Sequence, residues 1–75
     1  MNTILASEKA FSLAELLEHE GFHAMAEEIR VAIYGGATGL EVAFRLRDKL
    51  NWVIENEKIP RKFFEKANEI QRYLK

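Results

Sequence analysis

The sequence predicts an all-α domain, a small bundle of three to four helices with a long third helix, formed by residues 1–75 as one unit. Three observations carry this expectation. Apolar residues recur at spacings of three and four along most of the chain, no stretch alternates apolar and polar residues as a half-buried strand would, and short glycine or proline breaks divide the periodic segments. The clearest break is Tyr34-Gly35-Gly36-Ala37-Thr38-Gly39-Leu40-Glu41, which stops one amphipathic segment and starts another. Two adjacent glycines can adopt left-handed backbone angles and so close a helix, while Thr38 with Glu41 three residues on forms the pattern of a capping box.

Helix one is expected between Asn2 and Glu20, with Ala10, Leu13, Ala14 and Leu17 on one stripe and Gly21 placed to end it. Ser12-Leu13-Ala14-Glu15 is a second capping-box pattern, with Phe11 and Leu16 as its hydrophobic staple. Two readings of this segment therefore stay open, one continuous helix or a break near Ser12. Helix two is expected from about Phe22 to Tyr34, because Phe22, Met25, Ala26, Ile29 and Ile33 share a face and leave Glu27, Glu28 and Arg30 toward water.

Helix three starts after Thr38 and runs for about five turns, since Leu40, Ala43, Leu46, Leu50, Val53 and Glu57 step by three or four. Val42, Trp52 and Ile54 broaden its stripe, and Ala37 with Val42 occupies the staple positions around the Thr38 cap. Pro60 then interrupts the pattern. It lacks an amide hydrogen and restricts Ile59, yet suits the first turn of a last helix whose stripe is Phe63, Ala67, Ile70 and Leu74, with Phe64 and Tyr73 flanking it.

A chain of 75 residues supports a core near the lower limit for independent stability. A second copy is one way to cover surplus apolar surface, and Phe44, Trp52, Phe63, Phe64 and Tyr73 are the expected contacts of a homodimer. The absence of cysteine removes disulfide frameworks, thiolate catalysis and cysteine–zinc sites. No basic signal region opens the sequence, and no segment reaches the roughly 18 apolar residues of a membrane span, so the expectation is a soluble, cytoplasmic protein.

Charge is distributed unevenly. Residues 1–34 carry six glutamates against Lys9 and Arg30, a net of −4, whereas residues 35–75 carry nine basic against six acidic residues, a net of +3. Such an asymmetry fits helix faces that attract each other across the fold, or an acidic surface for a basic partner.

Chemistry-bearing patterns are sparse, and no catalytic residue and no enzyme activity is expected. His19 and His23 have the i, i+4 spacing of a helical zinc pair, but Gly21 lies between them and a break there separates the rings, so neither a metal nor a cofactor is expected. The Gly35–Gly39 loop precedes a helix N-terminus, yet it follows a helix rather than a strand and lacks the lysine of a phosphate loop. Arg45, Arg47, Lys49, Arg61, Lys62 and Lys66 suggest a small DNA-binding regulator or adaptor of the helix-turn-helix type as the alternative function. Interspersed acids, the negative total and a loop longer than that motif's turn weigh against nucleic acid.

The segment Gly35-Gly36-Ala37-Thr38-Gly39-Leu40-Glu41-Val42-Ala43-Phe44-Arg45-Leu46-Arg47 resembles one found in small all-helical bacterial proteins, some of them similar to immunity proteins of the contact-dependent growth inhibition type. That resemblance covers residues 35–47 and implies a cytosolic antidote that binds the toxin domain of a delivered effector, often a nuclease. A nuclease presents a basic cleft to phosphates, which an acidic helical surface can meet with steered association. Under this expectation the partner-binding residues are Glu15, Glu18, Glu20, Glu27 and Glu28, with Tyr34 as aromatic anchor.

Overall fold

Asn2, Gly21, Thr38 and Pro60 punctuate the chain into four helices. A computed structural model describes residues 1–75, and its elements are α1 (Thr3–His19), α2 (His23–Tyr34), α3 (Gly39–Glu55) and α4 (Arg61–Tyr73). The expected small all-helical bundle is what the chain forms.

Each boundary has a local cause. Asn2 caps α1 by accepting a hydrogen bond from the Leu5 amide at 3.1 Å. Gly21, the one residue with positive φ, at 93°, turns the chain after α1 where a side chain would be strained. Thr38 caps α3 by accepting from the Glu41 amide at 3.2 Å, and the Glu41 carboxylate reaches back to accept from the Ala37 amide at 2.6 Å. Pro60 stands immediately before α4 rather than within its first turn, with the chain extended at ψ 143°.

Two expectations need correction, and one open alternative is decided. Gly35 and Gly36 do not close α2 with left-handed angles. What they supply is close approach: a Cβ on Gly36 would lie 2.5 Å from Val42 Cγ2 and 2.9 Å from the Val42 amide nitrogen, and one on Gly35 would lie 2.8 Å from the Val31 carbonyl oxygen. Of the two readings left open for the first helix, the continuous one holds: α1 runs through Ser12, whose hydroxyl donates back to the Glu8 carbonyl at 3.4 Å instead of capping a new helix. Continuity keeps Ala6, Ala10, Leu13, Ala14 and Leu17 on one buried stripe. The other correction is that Leu40 and Trp52 fall outside the buried face of α3, which consists of Ala43, Leu46, Leu50 and Val53.

Successive helices run antiparallel. Phe11 meets Tyr34 and Glu18 meets Arg30 across α1 and α2; Glu28 meets Lys49 across α2 and α3; Gln71 meets Asn51 across α3 and α4. The ring closes where the Asn2 amide donates to the Tyr73 carbonyl at 2.6 Å and Lys9 pairs with Glu69 at 3.7 Å. In the middle, α1 also packs across the diagonal onto α3, as its fully buried Ala6, Ala10 and Ala14 allow. Phe63, Leu13, Leu17, Ile29, Leu46, Leu50 and Leu74 fill the core, and no polar or charged residue is buried. Each such large side chain contributes about 1.5–3 kcal/mol through its removal from water. No helix is long and apolar enough to cross a membrane.

Candidate protein-binding surface

Ile4, Glu8, Phe11, Glu15 and Glu18 repeat every three or four residues along α1 and so share one face. Glu27, Arg30 and Tyr34 do the same on α2. Antiparallel pairing brings the two stripes together as one seam. At one end the rings of Phe11 and Tyr34 sit 5.3 Å apart, tilted by 57°, and Tyr34 is still 75% exposed. Ile4, two turns before Phe11 on the same face of α1 with Glu8 between them, is 77% exposed.

Toward the other end, Arg30 extends among carboxylates. Its guanidinium donates to Glu18 at 2.6 Å and lies 3.8 Å from Glu27. The hydrogen bond from Arg30, and then its charge, holds the Glu18 carboxyl below the usual carboxylate range. Conversely the Glu18 hydrogen bond leads the upward displacement of Arg30, to which the charges of Glu18, Glu27 and Glu15 all contribute. One guanidinium thus serves two carboxylates, and with Glu15 on the same face of α1 a net negative charge of two remains. Glu8 and Glu15 have no basic group within ion-pair distance.

The five glutamates singled out by sequence do not form one patch. Glu15, Glu18 and Glu27 belong to the seam. Glu20 instead pairs with Lys62 at the start of α4, and Glu28 pairs with Lys49 of α3 at 2.6 Å. These two tie helices together across the charge asymmetry of the chain. Ile4, Phe11 and Arg30 were not among the partner-binding expectations, although the 4–8–11–15–18 spacing of α1 is visible in the sequence. What the spacing lacks is which helix pairs with that face.

The expected dimer contacts also separate. Phe63 is 1% exposed, edge-on to Phe22 at 6.2 Å, and has no surface to offer a second chain. Its place at the first turn of α4, facing the α1–α2 corner, puts it in the core. Phe64 and Tyr73 are half-buried against that core. Phe44 and Trp52 are exposed on α3, at 54% and 41%, beside Arg47 and Lys49 respectively.

Among the basic residues of the alternative reading, Arg47 donates to the Leu74 carbonyl, Lys49 pairs with Glu28 and Lys62 with Glu20. Arg45, Arg61 and Lys66 are exposed without an ion pair. His19 ends α1 and His23 begins α2, on either side of Gly21, and nowhere do three histidine or carboxylate side chains converge as a metal site. At the start of α3 the Glu41 carboxylate occupies the position an anion would take, against the Ala37 amide. Surface depressions are open: one of about 180 Å³ lies between α1 and α4, over Lys9, Leu16, Lys66 and Glu69, and one of about 500 Å³ along α4 has only four lining residues. Comparison of the chain with protein-family models, with curated proteins and with solved structures finds no match.

Proposed function

We propose that this chain is a toxin-neutralising immunity protein, which binds a bacterial toxin domain stoichiometrically and blocks it without turnover or cofactor. The observation that carries this reading is the α1–α2 seam, where a 75% exposed tyrosine shares a face with Glu15 and with Glu18 and Glu27 around one guanidinium. An exposed aromatic beside a charged rim is the composition of a protein contact. A nuclease is the favoured toxin class, because a phosphate-binding cleft is basic and the seam is acidic. A second copy of the chain is the other partner we propose, docking on the exposed Phe44 and Trp52 of α3 and leaving the seam free.

Co-expression tests the reading. The chain should restore growth to bacteria producing the toxin domain encoded beside it and should co-purify with that domain. Growth arrest that persists while both proteins accumulate in soluble form would remove the proposal.

A further inference from the structure

The exposed apolar end of the seam and its charged middle point to one kind of occupant. We infer that the α1–α2 seam docks a cationic amphipathic helix, whose apolar side chains seat on Ile4 at one turn and on Phe11 and Tyr34 two turns on, while its lysines or arginines meet Glu15, Glu18 and Glu27. This rests on the reading of the chain as a binding protein and deepens it by naming the chemistry of what binds.

Three features argue for that occupant. Ile4 and Tyr34 are more than three-quarters and three-quarters exposed, and Phe11 is half-buried beneath Tyr34, so the apolar end is an unpartnered surface with a firm floor. The charge next to it is not balanced internally. Arg30 satisfies Glu18 by hydrogen bonding, Glu27 shares the same guanidinium at 3.8 Å, and Glu15 has no basic group within ion-pair distance. A cation from outside completes that set, whereas a phosphate or an acidic segment is repelled by it. Finally, the stripe from Ile4 to Glu18 spans about 21 Å at 1.5 Å per residue, the length of a four-turn helix laid along this face of α1, with α2 alongside it from Phe11 to Glu18. The exposed Leu40 and Phe44 have Glu41 beside them, but Arg45 and Arg47 are close by as well, so the charge there is mixed.

The test titrates the full-length, isotope-labelled chain with three synthetic peptides and follows backbone amide shifts. The first is a 14-residue amphipathic helix of leucine and lysine, the second replaces each lysine by glutamate, and the third scrambles the first so that no apolar face forms. Only the first should bind, shifting Ile4, Phe11 and Tyr34, with affinity that falls as salt is raised. Tyr34→Ala and the double substitution Glu15→Lys, Glu27→Lys should each weaken it about tenfold. Leu16→Ala, on the α1–α4 side, should leave it unchanged. Unchanged helicity of the variants shows that they remain folded. Equal binding of the glutamate peptide, shifts confined to other faces, or no binding at all overturns the inference. So do concentration-dependent shifts of the same three residues without peptide, which assign the seam to a second copy. Failure of growth rescue with peptide binding intact removes the toxin and keeps the surface; the reverse result keeps the toxin and moves its contact elsewhere.

Discussion

At Gly36 the backbone turns back so tightly that a single added methyl group would strike Val42, both at its side chain and at its amide nitrogen. The latter contact is with backbone at the start of α3 and has little room to yield. Gly36→Ala should therefore destabilise the chain by about 1–3 kcal/mol. Gly39 is the contrasting case, with open space around its missing Cβ and no left-handed angle, so Gly39→Ala should be stabilising by about 0.4–1 kcal/mol through the unfolded chain. Urea unfolding of the two variants measures both. The sequence shows that a turn occurs here; it does not distinguish a glycine chosen for its φ from one chosen for crowding, because the crowding comes from Val42 after the chain has returned. Glu18 is the residue through which pH acts. Its carboxyl is held below the usual range by Arg30, so its contribution is present above the unfolded value of about 4.3 and is lost as pH falls through the lower folded value. Glu18→Gln should lower the melting temperature at neutral pH, and the gap to the unsubstituted chain should close in acid. The pair is exposed, so added salt should narrow the gap as well.

Individual helices were the most legible level, and α4 shows why. Phe63, Ala67, Ile70 and Leu74 follow the helical period without interruption, and all four are buried. α3 was legible at its start, where Thr38 and Glu41 exchange hydrogen bonds with the turn, but less so along its length. Leu40 and Trp52 fit an apolar stripe by spacing, yet are 55% and 41% exposed. A helix packed on three neighbours chooses its buried arc by their positions, which periodicity does not encode. The cap and the core make separable predictions. Thr38→Ala should cost about 1 kcal/mol by leaving the Glu41 amide without its partner. Phe63→Ala should cost about 3–5 kcal/mol by opening a cavity at the corner of α1, α2 and α4. Trp52→Ala, on the exposed side of α3, should cost far less. Chemical denaturation at fixed temperature orders the three.

Across the whole molecule, the asymmetry of charge along the chain becomes a set of connections between helices. Glu20 with Lys62 and Glu28 with Lys49 each join an acid of the first half to a base of the second, while Lys9 with Glu69 joins the same halves with the signs reversed. The sequence showed that such attraction was available, but not which carboxylates would be used by it. Sorting them needed the antiparallel order of the four helices, which leaves Glu15, Glu18 and Glu27 together with Phe11 and Tyr34 on the seam and draws Glu20 and Glu28 away. The same order buries Phe63 and exposes Phe44, two phenylalanines that composition treats alike. The site was thus half legible: its residue types and α1 spacing can be read directly, whereas its second wall belongs to tertiary structure. The central claim is that this surface acts by occupying a partner rather than by transforming one. Titrating the purified toxin domain with the chain while following both complex mass and toxin activity tests that claim most directly. The account predicts a saturable complex with activity lost in proportion to the toxin bound; loss of activity at far below one equivalent, with no complex formed, would contradict it.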